Sequence, residues 1–254
     1  MRYFTKLSYL GTKYSGWQRQ PKAMTVQEKV EDAIATVLRQ EVPVVGCGRT
    51  DAGVHALHYV LHFDFEEGLP DDFIFRLNRI LPKDIAVQKV NEVKADAHAR
   101  FDASHRAYEY RIGPAKNPFT INTAFFYPFF HKLDRDKMQA AAKLLSEQKE
   151  FFPFCKSNTD VKTMECSIFR SEWIFKEDEM IYEVAANRFL RGMIRLIVGM
   201  SLNVGLGKLG IAEVEEALAK QERLRKSYSV PPQGLYLKDI LYPYTFGVEV
   251  GIPG

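Results

Sequence analysis

The chain has 254 residues, is 46% hydrophobic and 26% charged, and carries a formal net charge of +3. Those proportions belong to a folded globular protein and exclude the disordered, collagen-like and disulfide-scaffold classes. No apolar run reaches the roughly 18 residues of a membrane span, and MRYFTKLSYLG has no signal-peptide core, so the expected compartment is the cytoplasm. Residues 2–9 alternate and read as a strand, followed by the loop GTKYSGWQRQPKAM. That loop mixes Tyr14 and Trp17 with Lys13 and Arg19, a set suited to unpaired nucleotides or, equally, to a turn closing over a buried tryptophan. Thr25-Val26-Gln27-Glu28 reads as a capping box, and Val26, Val30, Ala33, Ile34, Val37 and Leu38 recur at helical spacing. A strand over 42–46 then leads into VGCGRTDAGVHALHY, residues 45–59.

This stretch organises the rest. Gly46, Gly48 and Gly53 surround a single acid, Asp51, directly preceded by Arg49 and Thr50. Glycines allow close backbone approach, so the loop can present Asp51 at the rim of a sheet as a nucleophile, while Arg49 offers fixed donors to phosphate. The alternative is an Asp that only forms its own turn. A P-loop is excluded because Ala52-Gly53-Val54 stands where Gly-Lys-Ser/Thr is needed, and the dinucleotide fingerprint fails because a strand, not a helix, follows.

Leu57, Tyr59, Leu61, Phe63 and Phe65 alternate as a strand. On a helix His55, His58 and His62 would gather; on a strand His58 and His62 lie far apart and His55 falls out of phase, which argues against zinc. A helix opens at Pro70-Asp71 and closes at Pro82, and 84–93 is a further strand, completing a βαββαβ order. A strand over 104–113, a helix from Asp134, strands near 163–176 and 180–187, and a helix over about Phe189–Val204 repeat that order. A short helix with Val214, Ala217 and Leu218 and a strand from Gly234 to Leu241 complete the chain, with a boundary drawn near residue 100.

Three acid-free or nearly acid-free basic tracts, 1–27, 187–212 and 220–228, suggest a polyanionic partner, although solvated helix faces would explain any one of them. Within the second tract a helix over 189–204 puts Arg188, Arg191 and Arg195 in one arc of an otherwise apolar helix; buried arginines require anions, either Asp51 or phosphates. In HRAYEYRI, strand phase places Arg106, Tyr108, Tyr110 and Ile112 on one face, where a tyrosine can stack on a base or move a proton. Cys47, Cys155 and Cys166 show no paired spacing and read as reduced core residues.

Through KYSGWQRQ (13–20), TVQEK (25–29), GRTDAGVHA (48–56), DIAV (84–87), HARFDASHRAYEYRI (98–112), MIRLIVG (193–199) and GLYL (234–237), the chain closely resembles the bacterial tRNA pseudouridine synthase A family. The resemblance implies an α+β fold of two ferredoxin-like, RRM-like halves, 1–100 and 101–254, sharing an extended mixed or antiparallel sheet around a central cleft. It implies an isomerase that converts uridine to pseudouridine at nucleotides 38–40 of the tRNA anticodon stem-loop. The partners implied are tRNA and a second copy of the chain, with neither cofactor, metal nor membrane. By motif position Asp51 is the nucleophile, Arg49 takes the place of the flipped nucleotide, Tyr108 stacks on the uracil, Arg195 pairs with the aspartate, and Leu235 contacts substrate. Two segments depart from the family pattern: Glu150–Phe154 reads EFFPF, and Arg100-Phe101-Asp102-Ala103 stands where RFSA is common. The rival readings are a non-catalytic RRM-like RNA-binding protein and a metal hydrolase using Asp51 with the histidines.

Overall fold

The computed structural model describes residues 1–156 and 163–246. It is an α+β structure with nine strands and five α-helices among the described residues. They fall into two compact units, Met1–Ser104 with residues 236–246, and His105–Leu235. The first contains β1 (Arg2–Tyr9), α1 (Val26–Leu38), β2 (Val45–Gly46), β3 (His55–Asp64), α2 (Phe73–Ile80) and β4 (Ile85–Val93). The second contains β5 (His105–Gly113), β6 (Phe125–Phe126), α3 (Arg135–Leu145), β7 (Ile168–Phe175), β8 (Met180–Ala186), α4 (Met193–Gly205) and α5 (Ile211–Lys220). β9 (Leu235–Leu241) follows, and from Tyr236 it belongs to the first unit. No helix of the described residues is long and apolar enough to cross a membrane.

In the first unit β1 is central. It runs antiparallel to β4, from Arg2↔Val93 to Tyr9↔Ile85, and antiparallel to β3, from Arg2↔Asp64 to Tyr9↔Ala56. The other edge of β3 is shared: β2 pairs antiparallel at its far end (Val45↔His62), and β9 pairs parallel at its near end (His55↔Tyr236). α1 starts where its cap predicts, with the Thr25 hydroxyl accepting from Glu28 N–H at 3.3 Å. β2 is shorter than the predicted 42–46. Pro43 has no N–H for a ladder, and the backbone of Val44 is satisfied by α1 instead: its N–H donates to Glu31 at 3.2 Å and its carbonyl accepts from Gln27 at 3.1 Å.

In the second unit β8 lies between β5 and β7, antiparallel to both. Tyr110, Tyr182 and Trp173 face one another across these three strands. The Tyr182 hydroxyl donates to Ser171 Oγ at 2.7 Å, and Ser171 in turn donates to the Ala142 carbonyl of α3 at 2.7 Å, so the helix is tied to the sheet through a buried relay. β7 begins at Ile168, not near 163, and β6, a two-residue strand parallel to β5, has no counterpart in the sequence reading.

The largest correction concerns α4. Apolar periodicity runs from Phe189, yet the helix begins at Met193, because Gly192 takes φ +72°, a left-handed conformation that ends helical geometry on its N-terminal side. Arg188 and Arg191 therefore lie in the irregular segment ahead of the helix, and no three-arginine stripe exists. Of the thirteen residues of α4, twelve are buried, and Arg195 is the exception. The three cysteines are buried free thiols, as expected, and burial pushes that of Cys166 up to about 11.

Candidate active site

Asp51 lies in the connection between β2 and β3, and hydrogen bonds hold that connection on both sides of it. The Tyr59 hydroxyl, on β3, donates to the Gly48 carbonyl at 2.6 Å. At the end of β1, the Tyr9 hydroxyl shares a buried 2.8 Å hydrogen bond with the Thr50 hydroxyl. Trp17 N–H donates to the Thr50 carbonyl at 3.2 Å. Beyond the acid, Val54 N–H returns to the Asp51 carbonyl and Gly53 N–H reaches the Tyr14 carbonyl, each at 3.2 Å. Between these anchors Arg49 and Ala52 are exposed and Asp51 is half-buried. A carboxylate on a backbone held at several points has a preset position.

Under the turn lies an aromatic platform. Trp17 and Tyr59 stack with ring centroids 4.0 Å apart, and Tyr9 packs on both, at 5.6 Å from Tyr59 and 6.3 Å from Trp17. Gly46 runs across this platform so closely that a Cβ there would stand 2.0 Å from Tyr59 Oη and 2.6 Å from Trp17 Nε1. Only glycine lets the chain into the Asp51 turn pass over the rings.

The reading of the 11–24 loop as a surface for nucleotides fails for its aromatics. Trp17 is 1% exposed and Tyr14 4%, and the Tyr14 hydroxyl donates to Asp84 at 2.6 Å. Its cations face carboxylates as well, Lys13 near Asp84 at 3.8 Å and Arg19 on Glu31 at 2.7 Å. Arg2 forks onto Asp64 at 2.7 and 2.8 Å. The acid-free tract 1–27 is thus partly neutralised by acids that folding brings in, and Arg225 on Glu213 does the same in the tract 220–228. Two of the three histidines of β3 are structural. His55 Nδ1 accepts from Gly11 N–H at 2.9 Å, and His62 Nδ1 accepts from Ala99 N–H at 3.1 Å. Burial, with Arg2 and His98 nearby, holds His62 neutral by lowering its pKa to about 4. Among the described residues no cluster of His, Cys, Asp and Glu has metal-binding geometry.

The other residues that the resemblance singles out, Tyr108, Arg195 and Leu235, lie in the second unit. Tyr108, half-buried on β5, meets the edge of Phe189 at 5.3 Å. Arg195 clamps the segment ahead of β9: its Nε donates to the Val230 carbonyl at 2.7 Å, and its own carbonyl accepts from Val230 N–H at 3.2 Å. Next to this clamp the Tyr110 hydroxyl donates to the Pro231 carbonyl at 2.7 Å, with its pKa raised by burial. Leu235, 6% exposed, opens β9 after the turn Pro232–Gly234.

The family model described as tRNA pseudouridine synthase matches residues 7–102 and 141–243. The chain belongs to the tRNA pseudouridine synthase family. It is an isomerase acting on uridine in tRNA. The tRNA pseudouridine synthase A of Porphyromonas gingivalis is 44% identical over 247 residues, covering 95% of this chain and 97% of that one. That of Bacteroides fragilis is 46% identical over 247 residues, 95% and 96% of the two chains. The Bacillus pumilus enzyme is 39% identical over 241 residues, 93% and 97%. In this synthase the sequence singles out the presented residues, Arg49 and Asp51, and does not show that Tyr9 and Tyr59 hold the turn, Tyr9 through Thr50. Their signal was faint: two tyrosines at strand positions, where tyrosine is ordinary.

Proposed function

We propose that this synthase isomerises uridine at positions 38–40 of the tRNA anticodon stem-loop, with Asp51 as the nucleophile. The observation that carries the reading is the Asp51 turn, where a half-buried carboxylate is flanked by anchored residues and preceded by an exposed arginine. In the reaction the C1′–N1 bond of uridine breaks, the uracil turns, and a C5–C1′ bond forms. The proton lost from C5 is matched by one gained at N1, so the change is redox-neutral and needs no cofactor. The target base must leave its stack, at a cost of a few kcal/mol. Arg49 fills the vacated place, and Tyr108, Arg195 and Leu235 contact the substrate. Each unit is read as ferredoxin-like. The antiparallel order β4-β1-β3-β2 supports this in the first, and β5-β8-β7 with α3 and α4 supports it in the second. The synthase acts in the cytoplasm as a homodimer.

The test is tritium release from C5-labelled uridine in tRNA together with mapping of pseudouridine in the product. Asp51→Asn is expected to bind tRNA with affinity close to that of the parent and to release no label. Retained turnover in that variant overturns the nucleophile assignment, and pseudouridine mapped outside the anticodon arm overturns the target assignment.

A further inference from the structure

We propose that Tyr9 is a positioning residue for the isomerisation, acting through the Thr50 hydroxyl to set the direction of the Asp51 carboxylate; the inference rests on Asp51 being the nucleophile. Three observations converge on it. First, Thr50, the residue immediately before Asp51, is held at two points: its carbonyl by Trp17 N–H at 3.2 Å and its side chain by the Tyr9 hydroxyl at 2.8 Å. One attachment leaves a residue free to turn about it. Two fix its orientation, and with it the peptide that leads into Asp51. Second, the extra residue where β1 and β3 shift register lies on β3, between Tyr59 and Ala56, so β1 keeps its alternation and Tyr9 stays on the same buried side as Leu7, from which its hydroxyl reaches Thr50. Third, the Tyr9 ring is 3% exposed and packed against Trp17 and Tyr59, so its hydroxyl has a defined position from which to act. The ring packing would survive removal of the hydroxyl. The hydrogen bond therefore adds direction to a site whose burial is already secured.

A purely structural hydrogen bond and a positioning one make different predictions. Tyr9→Phe is expected to lower kcat by about ten- to a hundredfold, the scale of a small misplacement of a reacting group, while KM for tRNA changes less than twofold. Thr50→Ser keeps the hydroxyl and is expected to keep kcat within about threefold, whereas the isosteric Thr50→Val is expected to match Tyr9→Phe. The double variant Tyr9→Phe/Thr50→Val leaves no unpaired buried hydroxyl. It is expected to regain the melting temperature lost by either single variant and to keep the low kcat. If kcat recovers along with the melting temperature, or if Tyr9→Phe turns over at the parent rate, the positioning role is refuted. Full turnover by Asp51→Asn would instead remove the reading on which the inference stands. A Tyr9→Phe variant that turns over normally beside an inactive Asp51→Asn removes the inference alone.

Discussion

Replacing Gly46 by alanine probes the aromatic platform on which the Asp51 turn rests. The new methyl group would stand 2.0 Å from Tyr59 Oη and 2.6 and 2.7 Å from Trp17 Nε1 and Cε2. Both rings are less than 2% exposed and stacked on each other, so neither can swing aside into solvent. Overpacking of this kind costs about 1–3 kcal/mol. Displacing Tyr59 also breaks its 2.6 Å hydrogen bond to the Gly48 carbonyl, worth about 0.5–1.5 kcal/mol. The expected total is about 2–4 kcal/mol, which for a chain of this size lowers the melting temperature by roughly 4–16 °C. Because Tyr59 bears the shortest contact, Tyr59→Phe removes part of the clash. The double variant Gly46→Ala/Tyr59→Phe should therefore be less destabilised than the sum of the two, with a coupling of about 1 kcal/mol. Thermal and urea unfolding followed by circular dichroism measure both quantities, and tritium release on the same samples should show Gly46→Ala turning over slowly. A melting temperature within a degree of the parent, or strict additivity, would refute the account of the platform.

Two further outcomes follow from buried charge. The His62 pKa of about 4 lies below the roughly 6.5 expected in the unfolded chain, so the unfolded state binds the proton first as pH falls. The stability this residue contributes is complete above about pH 6.5 and is lost as pH drops to about 4, by an amount on the order of 3 kcal/mol. His62→Asn, which keeps an acceptor for Ala99 N–H but does not titrate, should flatten the melting temperature between pH 6.5 and 4.5; an unchanged slope would show that other groups carry it. In the second unit, Glu109, Glu183 and Glu172 stand opposite one another on adjacent strands, and Arg170 bridges Glu172 and, at 2.7 Å, Glu183. Arg170→Met leaves the buried Glu183 facing two acids with one cation fewer, and about 1–3 kcal/mol of stability should be lost, measured by urea denaturation at low salt. No change in the urea midpoint would mean that the row is neutralised in another way.

What the sequence determined by itself was local. The capping box at Thr25 and the spacing of Val26, Val30, Ala33 and Ile34 specify α1. The alternation from Leu57 to Phe65 specifies β3, and the glycine-flanked Asp51 with Arg49 marks the turn proposed to be reactive. Each of these signals is written within a few residues, as helical and strand periods are. Tertiary structure decided the rest. Apolar periodicity ran on past the start of α4, since a pattern of side chains does not reveal that Gly192 takes a positive φ, and so Arg188 and Arg191 seemed to share a helix with Arg195. Whether Trp17 faced nucleotides or the core turned on Tyr59, a residue far along the chain whose ring it meets. The grip of Tyr9 on Thr50 joins residues 41 positions apart. Such contacts form only when the sheet brings β1 and β3 side by side, and no local pattern encodes which distant residue will be there.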